Sequence, residues 1–255
     1  MIGGAILPII FLSLSTMSKL QKSILIVVLV LLIDQILKIW IKTHMTLGEE
    51  FSVLGNWFMI HFVENNGMAF GFEFGGEYGK IFLSLFRVVA VFGIGWYITK
   101  LVKKDLPMGF IACVALIFAG AIGNIIDSAF YGLIFNDSYG QVSSLFPEGG
   151  GYASFLHGRV VDMLYFPLVS GVYPDWVPLL GGSDFQFFRP VFNVADSSIS
   201  IGIFSIIFFY RKQFNNLDIR HHKSEVEETV EAEETEDTVV ISTENEAKGT
   251  NTVLE

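Results

Sequence analysis

The chain has one cysteine in 255 residues, Cys113, so it can form neither an intrachain disulfide nor a cysteine-built metal cluster. Cys113 lies in an apolar run and reads as a small core residue. There is no paired-histidine helix of the HExxH kind, the usual signature of a zinc peptidase. His157 lies in an outer loop with no serine pairing visible in the sequence, and His221-His222 open a polar tail and read as solvated. Charge is scarce: 16% of residues are Asp, Glu, Lys or Arg, against about 25% in soluble domains. No internal repeat is present. The little charge there is lies unevenly. Residues 224–255 hold eleven acids against Lys248, which accounts for the whole formal net charge of −10 and leaves residues 1–223 neutral. A tail so acidic and so poor in large apolar residues is expected to be disordered and solvated.

Apolar residues are abundant, at 52% of the chain, which points to several membrane spans. Four segments qualify by length and apolarity: Ser23–Thr43, Lys80–Leu101, Pro107–Ile126 and Val194–Tyr210. Residues 1–18 read as an N-terminal extension, because Met17-Ser18-Lys19 looks like a fresh start. Basic clusters orient the spans. Lys19 and Lys22 precede the first, Lys100, Lys103 and Lys104 separate the second and third, and Arg211, Lys212 and Arg220 follow the fourth. Four crossings put all three clusters, and both termini, in the cytoplasm. Regions 44–79 and 128–193 then lie outside. The stretch Phe51–Glu64 is aromatic-rich and β-favouring, with a turn former at Asn65-Asn66-Gly67. It is expected to make a small β platform on the membrane surface, with Trp57, Phe58 and Phe62 at the interface. Segments 133–158 and 167–188 are expected to be surface loops or interfacial segments. The fold class expected is therefore a mainly α, polytopic membrane protein: four transmembrane helices, a small extracytoplasmic β platform and a disordered acidic tail. The domain boundaries are 1–18, 19–212 and 213–255.

Carboxylates at membrane depth are expensive and point to function. Asp162 lies in HGRVVDMLYF, and Asp196 opens the last apolar run. Asn193 is a good N-cap, which puts Asp196 in the first turn of the helix, where the dipole favours negative charge. Topology brings Asp127, Asp162 and Asp196 to the same outer boundary. Two neighbouring carboxylates share a proton: the ionised one can activate water while the protonated one hydrogen-bonds a scissile carbonyl. This is aspartic-peptidase chemistry, and it needs no metal or cofactor. Asp196 is expected to be the more acidic member of a pair that titrates as a unit. Asp34 and Lys38 share a helix face at i, i+4, either as a self-neutralising pair or as support for a site. Arg87 either snorkels or pairs with a carboxylate. The run from Phe118 to Asp127 carries small residues at 119, 120, 121 and 123 that permit close helix approach. Asn124 and Asp127 share a face beside them.

Five pieces, in this order, together resemble signal peptidase II, the bacterial lipoprotein signal peptidase family. They are Asp34-Gln35 with Lys38, Asn65-Asn66-Gly67-Met68-Ala69-Phe70-Gly71, Gly120 through Asp127, Val160-Val161-Asp162, and Phe192-Asn193-Val194-Ala195-Asp196. The resemblance covers about residues 20–212. It implies that Asp162 and Asp196 are catalytic, with support from Asp34, Lys38, Asn65, Gly67, Asn124, Asp127, Asn193 and Ala195. It also implies cleavage of a prolipoprotein before its diacylglyceryl-modified cysteine in the bacterial cytoplasmic (inner) membrane, and inhibition by globomycin-type cyclic peptides. Lipid-modified prolipoproteins and membrane lipids are the expected partners; nucleic acid is not. The sequence departs from the family at Ser128, where the family carries Arg, and Arg159 is the nearest candidate to replace that cation. Among other readings, a small transporter predicts acids near the midplane of several spans, whereas only Asp34 lies there. A non-enzymatic scaffold recruiting partners through the acidic tail leaves the five motifs unexplained.

Overall fold

The structure is a computed structural model, and it describes residues 16–66, 76–104, 106–187 and 189–214. Residues 67–75, with Gly67 among them, lie outside the described residues, as do 1–15 and 215–255. The first 205 residues form one unit; the second, Ile206–Glu255, is described only to residue 214.

Helix α1 (Lys19–His44) starts at a capping box: the Ser18 hydroxyl accepts from the Gln21 N–H, and the Gln21 side chain accepts from the Ser18 N–H. Helix α2 covers Gly76–Lys103 and α3 covers Met108–Ile126. A π-helical stretch, Asp127–Tyr131, and a short turn, Gly132–Ile134, extend α3. Helix α4 covers Val194–Phe209. Among the described residues three helices, Lys19–His44, Leu85–Lys103 and Met108–Ile134, are long and apolar enough to cross a membrane. The fourth is apolar but has 16 residues, fewer than the roughly 20 of a full crossing. Ile24, Leu32 and Ile36 of α1 and Phe82, Phe86 and Phe92 of α2 are exposed. Apolar faces this extensive mark contact with lipid or another apolar partner.

The small residues of α3 let three helices meet. A Cβ added at Gly120 would strike the Ala195 carbonyl oxygen of α4 and come within 2.6 Å of Ser198 Oγ. One at Gly123 would lie 2.9 Å from Asp34 Oδ2 of α1 and 3.0 Å from Ala195 Cβ. Gly120→Ala is therefore expected to destabilise the protein by about 1–3 kcal/mol, because backbone must move to admit the methyl group. Thermal unfolding of purified protein measures this, and an unchanged melting temperature would show that α4 does not need the close approach.

The expected platform is a four-stranded antiparallel sheet in the order β1-β2-β3-β6. It comprises β1 (Glu50–Leu54), β2 (Phe58–Asn65), β3 (Val160–Tyr165) and β6 (Val191–Phe192). In the β2–β3 register Asn65 faces Val160, Glu64 faces Val161 and Val63 faces Asp162. Trp57 is exposed, but Phe62, expected at the interface, is fully buried among Met45, Tyr131, Phe135, Val161 and Met163. The platform thus shares a core with the end of α1 and the π-helical stretch, through Ile41, Met45 and Tyr131. The two outer segments also differ from plain loops. Within 167–188, β4 (Val169–Val172) and β5 (Asp184–Phe187) pair as a hairpin. In 133–158, Phe135, Ser138 and Ser143 are buried, which a loop on the solvent surface would not allow.

Candidate active site

Asp34 and Lys38 of α1 point one way because they sit one helical turn apart. Lys38 Nζ lies 2.8 Å from Asp34 Oδ2, 2.8 Å from Asp127 Oδ2 and 3.0 Å from Asn124 Oδ1. The side chains of Lys38, Asp34 and Asp127 are wholly inaccessible. One cation therefore serves two buried carboxylates. Gln35 Nε2 bridges the same two, at 3.1 Å from Asp34 Oδ2 and 3.0 Å from Asp127 Oδ1, and its carbonyl accepts from Tyr131 Oη.

The second oxygen of Asp34 and Oδ2 of Asp127 reach backbone. Asp34 Oδ1 accepts from the Ala195 N–H at 2.9 Å, and Asp127 Oδ2 accepts from the Val161 N–H at 3.2 Å. Ala195 immediately precedes Asp196, and Val161 immediately precedes Asp162. The Lys38 cluster thus holds the backbone one residue before each member of the candidate pair. The π-helical stretch begins at Asp127, a local widening often found at functional positions.

Above this layer Asn193 connects the two aspartates. Its Nδ2 donates to Asp162 Oδ1 at 2.7 Å, to the Val161 carbonyl at 3.2 Å and to Asn124 Oδ1 at 3.1 Å. Its Oδ1 accepts from the Asp196 N–H at 2.8 Å, as an N-cap should. The Asn193 N–H returns to Asp196 Oδ2 at 3.4 Å, and Asn124 Nδ2 donates to Asp196 Oδ1 at 2.7 Å. Asn65 Nδ2 donates to Asp162 Oδ2. Each carboxyl group therefore receives amide donors on both oxygens. Their surroundings differ: Asp162 is 5% exposed, while Asp196 is only partly buried. Burial, then the Asp196 carboxylate, pushes the Asp162 carboxyl up to about 8, against the opposing pull of Lys38 and Asn193. Among the described residues every buried side-chain nitrogen and oxygen has a hydrogen-bond partner, so the network is complete.

Asp34, Lys38, Asn65, Asn124, Asp127, Asp162, Asn193, Ala195 and Asp196 thus come together from α1, β2, α3 with its π-helical extension, β3, α4 and the cap of α4. Arg159 does not join them. Its guanidinium lies 4.6 Å over the Tyr152 ring and binds Glu64 Oε2 at 2.8 Å and both oxygens of Asp137 at 3.1 Å. Arg159, the nearest candidate for the cation missing at Ser128, is thus held by Glu64 and Asp137; the salt-bridge partner of Asp127 is Lys38, and the Ser128 hydroxyl donates to the Asn124 carbonyl. Sequence reasoning missed Gln35, Tyr131, Lys42 and Glu64. For Lys42 a signal existed, since it repeats the four-residue spacing of Asp34 and Lys38.

The chain is matched from residue 26 to 211 by the family described as signal peptidase (SPase) II. A lipoprotein signal peptidase of Porphyromonas gingivalis is 56% identical over 185 residues, covering 72% of this chain and 80% of that protein. One from Amoebophilus asiaticus is 38% identical over 209 residues, 79% of this chain and 82% of the other. One from Pelodictyon phaeoclathratiforme is 30% identical over 74% of this chain and 89% of the other. The fold and site define a membrane-associated protein in which Asp162 and Asp196 both hydrogen-bond to Asn193. The chain belongs to the signal peptidase II family.

Proposed function

We propose that the chain is an aspartic endopeptidase that removes the signal peptide from diacylglyceryl-modified prolipoproteins, cutting before the lipidated cysteine. The observation that carries this reading is Asn193, one side chain and its backbone holding both Asp162 and Asp196; burial and the Asp196 carboxylate push the Asp162 carboxyl up to about 8, which suits it to hold the shared proton. The Asp196 carboxylate takes a proton from water as the water oxygen attacks the scissile carbonyl carbon. Asp162 gives its proton to the carbonyl oxygen, leaving a tetrahedral diol. On collapse one hydroxyl returns a proton to Asp162, the C–N bond breaks, and the cysteine amine takes the proton from Asp196. Asn65, Asn124 and Asn193 hold the two carboxyl groups in register throughout, and Gly67 follows the strand that carries Asn65.

In this reading residues 19–212 are the peptidase core, crossing the bacterial cytoplasmic membrane four times with α4 as the last crossing. Lys19, Lys22, Lys100, Lys103, Lys104, Arg211 and Lys212 favour cytoplasmic loops and termini, with 213–255 a cytoplasmic tail and the pair at the outer face. There water arrives from outside while the acyl-bearing cysteine enters from the bilayer, and the spans align the signal peptide. Globomycin-type peptides are expected to inhibit.

Purified protein in lipid, incubated with a prolipoprotein with and without its diacylglyceryl group, tests the reading by gel shift. Cleavage of the lipidated form alone is expected; equal cleavage of both, or of neither, would overturn it. Catalysis needs Asp162 to keep its proton, so the rate is expected to fall as pH rises through about 8. A profile with a single ionisation, or one unmoved by Asp196→Asn, would refute the shared-proton mechanism.

A further inference from the structure

A second charge cluster, with the Lys42 and Glu64 side chains buried and those of Arg159 and Asp137 partly exposed, lies beside the first and touches neither aspartate of the pair. Lys42, one turn beyond Lys38, has no accessible surface; it is paired with Glu64 Oε1 and donates to Ser138 Oγ at 2.9 Å. The rings of Phe62, Phe135 and Tyr152 surround its ammonium at 5.9, 5.0 and 5.3 Å. Glu64 is 1% exposed and also accepts from Ser138 Oγ at 3.0 Å. Ser138 Oγ lies 2.8 Å from Ser143 Oγ, and the Ser143 N–H donates to the Lys42 carbonyl at 3.0 Å. Through its other oxygen Glu64 binds Arg159, which is held in turn by both oxygens of Asp137. The Arg159 N–H donates to Tyr152 Oη at 2.6 Å. Two cations and two anions balance, and the Lys42–Glu64 pair adds no net charge to the interior.

Its partners come from two kinds of segment. Ser138, Ser143, Asp137 and Tyr152 belong to the long 133–158 stretch, while Glu64 lies in β2 and Arg159 adjoins β3. Glu64 immediately precedes Asn65, and Arg159 immediately precedes β3. Successive side chains on a strand point to opposite faces. Glu64 can therefore be gripped from one face while Asn65, on the other, reaches Asp162.

Resting on the reading above, we propose that the Lys42–Glu64–Arg159–Asp137 cluster is a positioning clamp. Through it the 133–158 segment fixes the β2–β3 register so that the Asn65 amide stays on Asp162. Arg159, Glu64, Lys42 and Asp137 are positioning residues that act through Asn65, and the segment is part of the site's framework.

The test uses full-length protein in lipid with a diacylated prolipoprotein. Arg159→Ala and Asp137→Asn, the latter at a partly exposed position, are each expected to lower kcat about 10–100-fold with KM little changed, the loss that small misplacements cause. Asn65→Ala combined with Arg159→Ala is expected to be no worse than Asn65→Ala alone. Arg159→Lys is expected to restore part of the loss by keeping one ion pair. A second readout needs no turnover: infrared titration of the carboxyl groups, with Asp162→Asn identifying the Asp162 band, is expected to show that band titrating at higher pH in Arg159→Ala, because a donor to the carboxylate has loosened. Additive losses, or an Asp162 titration unmoved in both variants, would overturn the clamp. A chain inactive toward every prolipoprotein would overturn the functional reading and leave the titration to decide the clamp.

Discussion

Asp162→Asn and Asp196→Asn are each expected to lower cleavage of a diacylated prolipoprotein by about 10³–10⁴-fold, the scale of losing a proton-transferring group that has no substitute. Neither change should unfold the protein. An asparagine at 162 still offers a carbonyl oxygen to the Asn193 amide, and one at 196 still offers an acceptor to Asn124 or to the Asn193 N–H. What is lost is the proton: Asp162→Asn has no acid for the carbonyl oxygen, and Asp196→Asn has no base for water. The losses should not add, because both groups serve one transition state. A gel-shift time course with melting temperatures recorded on the same preparations makes the measurement. Full activity in either variant would sink the aspartic mechanism, whereas a collapsed melting temperature would reassign that residue to stability.

Lys38→Met is expected to have the largest effect on stability. It strips the Lys38 ammonium from Asp34 and Asp127, whose side chains have no accessible surface. Breaking a buried pair by removing one partner costs about 3–5 kcal/mol, and here two carboxylates are stranded. The cheapest relief is to protonate one of them, so the destabilisation should ease as pH falls. Activity should fall as well, since Asp34 and Asp127 hold the N–H groups of Ala195 and Val161, one residue before Asp196 and Asp162. Adding Asp127→Asn to Lys38→Met should recover part of the stability, as the remaining charge count is lower. Thermal unfolding in lipid nanodiscs across pH checks both. A Lys38→Met protein as stable as the wild type at pH 8 would mean that the cluster does not depend on its cation.

Much of the site was legible in the chain because its parts are local. Asp34 and Lys38 meet through helical periodicity alone. Asn193 and Asp196 read as cap and first turn, and the cap forms with Oδ1 on the Asp196 N–H. Gly120 and Gly123 read as a close-approach face, and α4 and Asp34 occupy it. The three long helices follow from length and apolarity. Long-range partnership was not legible in the same way. Arg159 was matched to an anion by sequence proximity to Asp162, yet it pairs with Glu64, 95 residues away, and with Asp137. Phe62 has the composition of an interfacial aromatic, but tertiary packing buries it against Tyr131 and Phe135. The 133–158 stretch reads as loop because Gly and Ser dominate it, and its buried Ser138 acts only once Lys42 and Glu64 are beside it.

By itself, then, the sequence determined the apolar spans, the pieces that mark the signal peptidase II family and the identity of the candidate aspartates, because apolar length, helical spacing and capping are properties of neighbouring residues. Only the tertiary structure decided which charge neutralises which. It gave Lys38 to Asp34 and Asp127 together, sent Arg159 elsewhere, and made Asp127 the holder of the Val161 N–H beside Asp162. The physical reason is that a buried charge is stable only with a partner brought to within hydrogen-bond reach, and that partner is set by which elements abut in space.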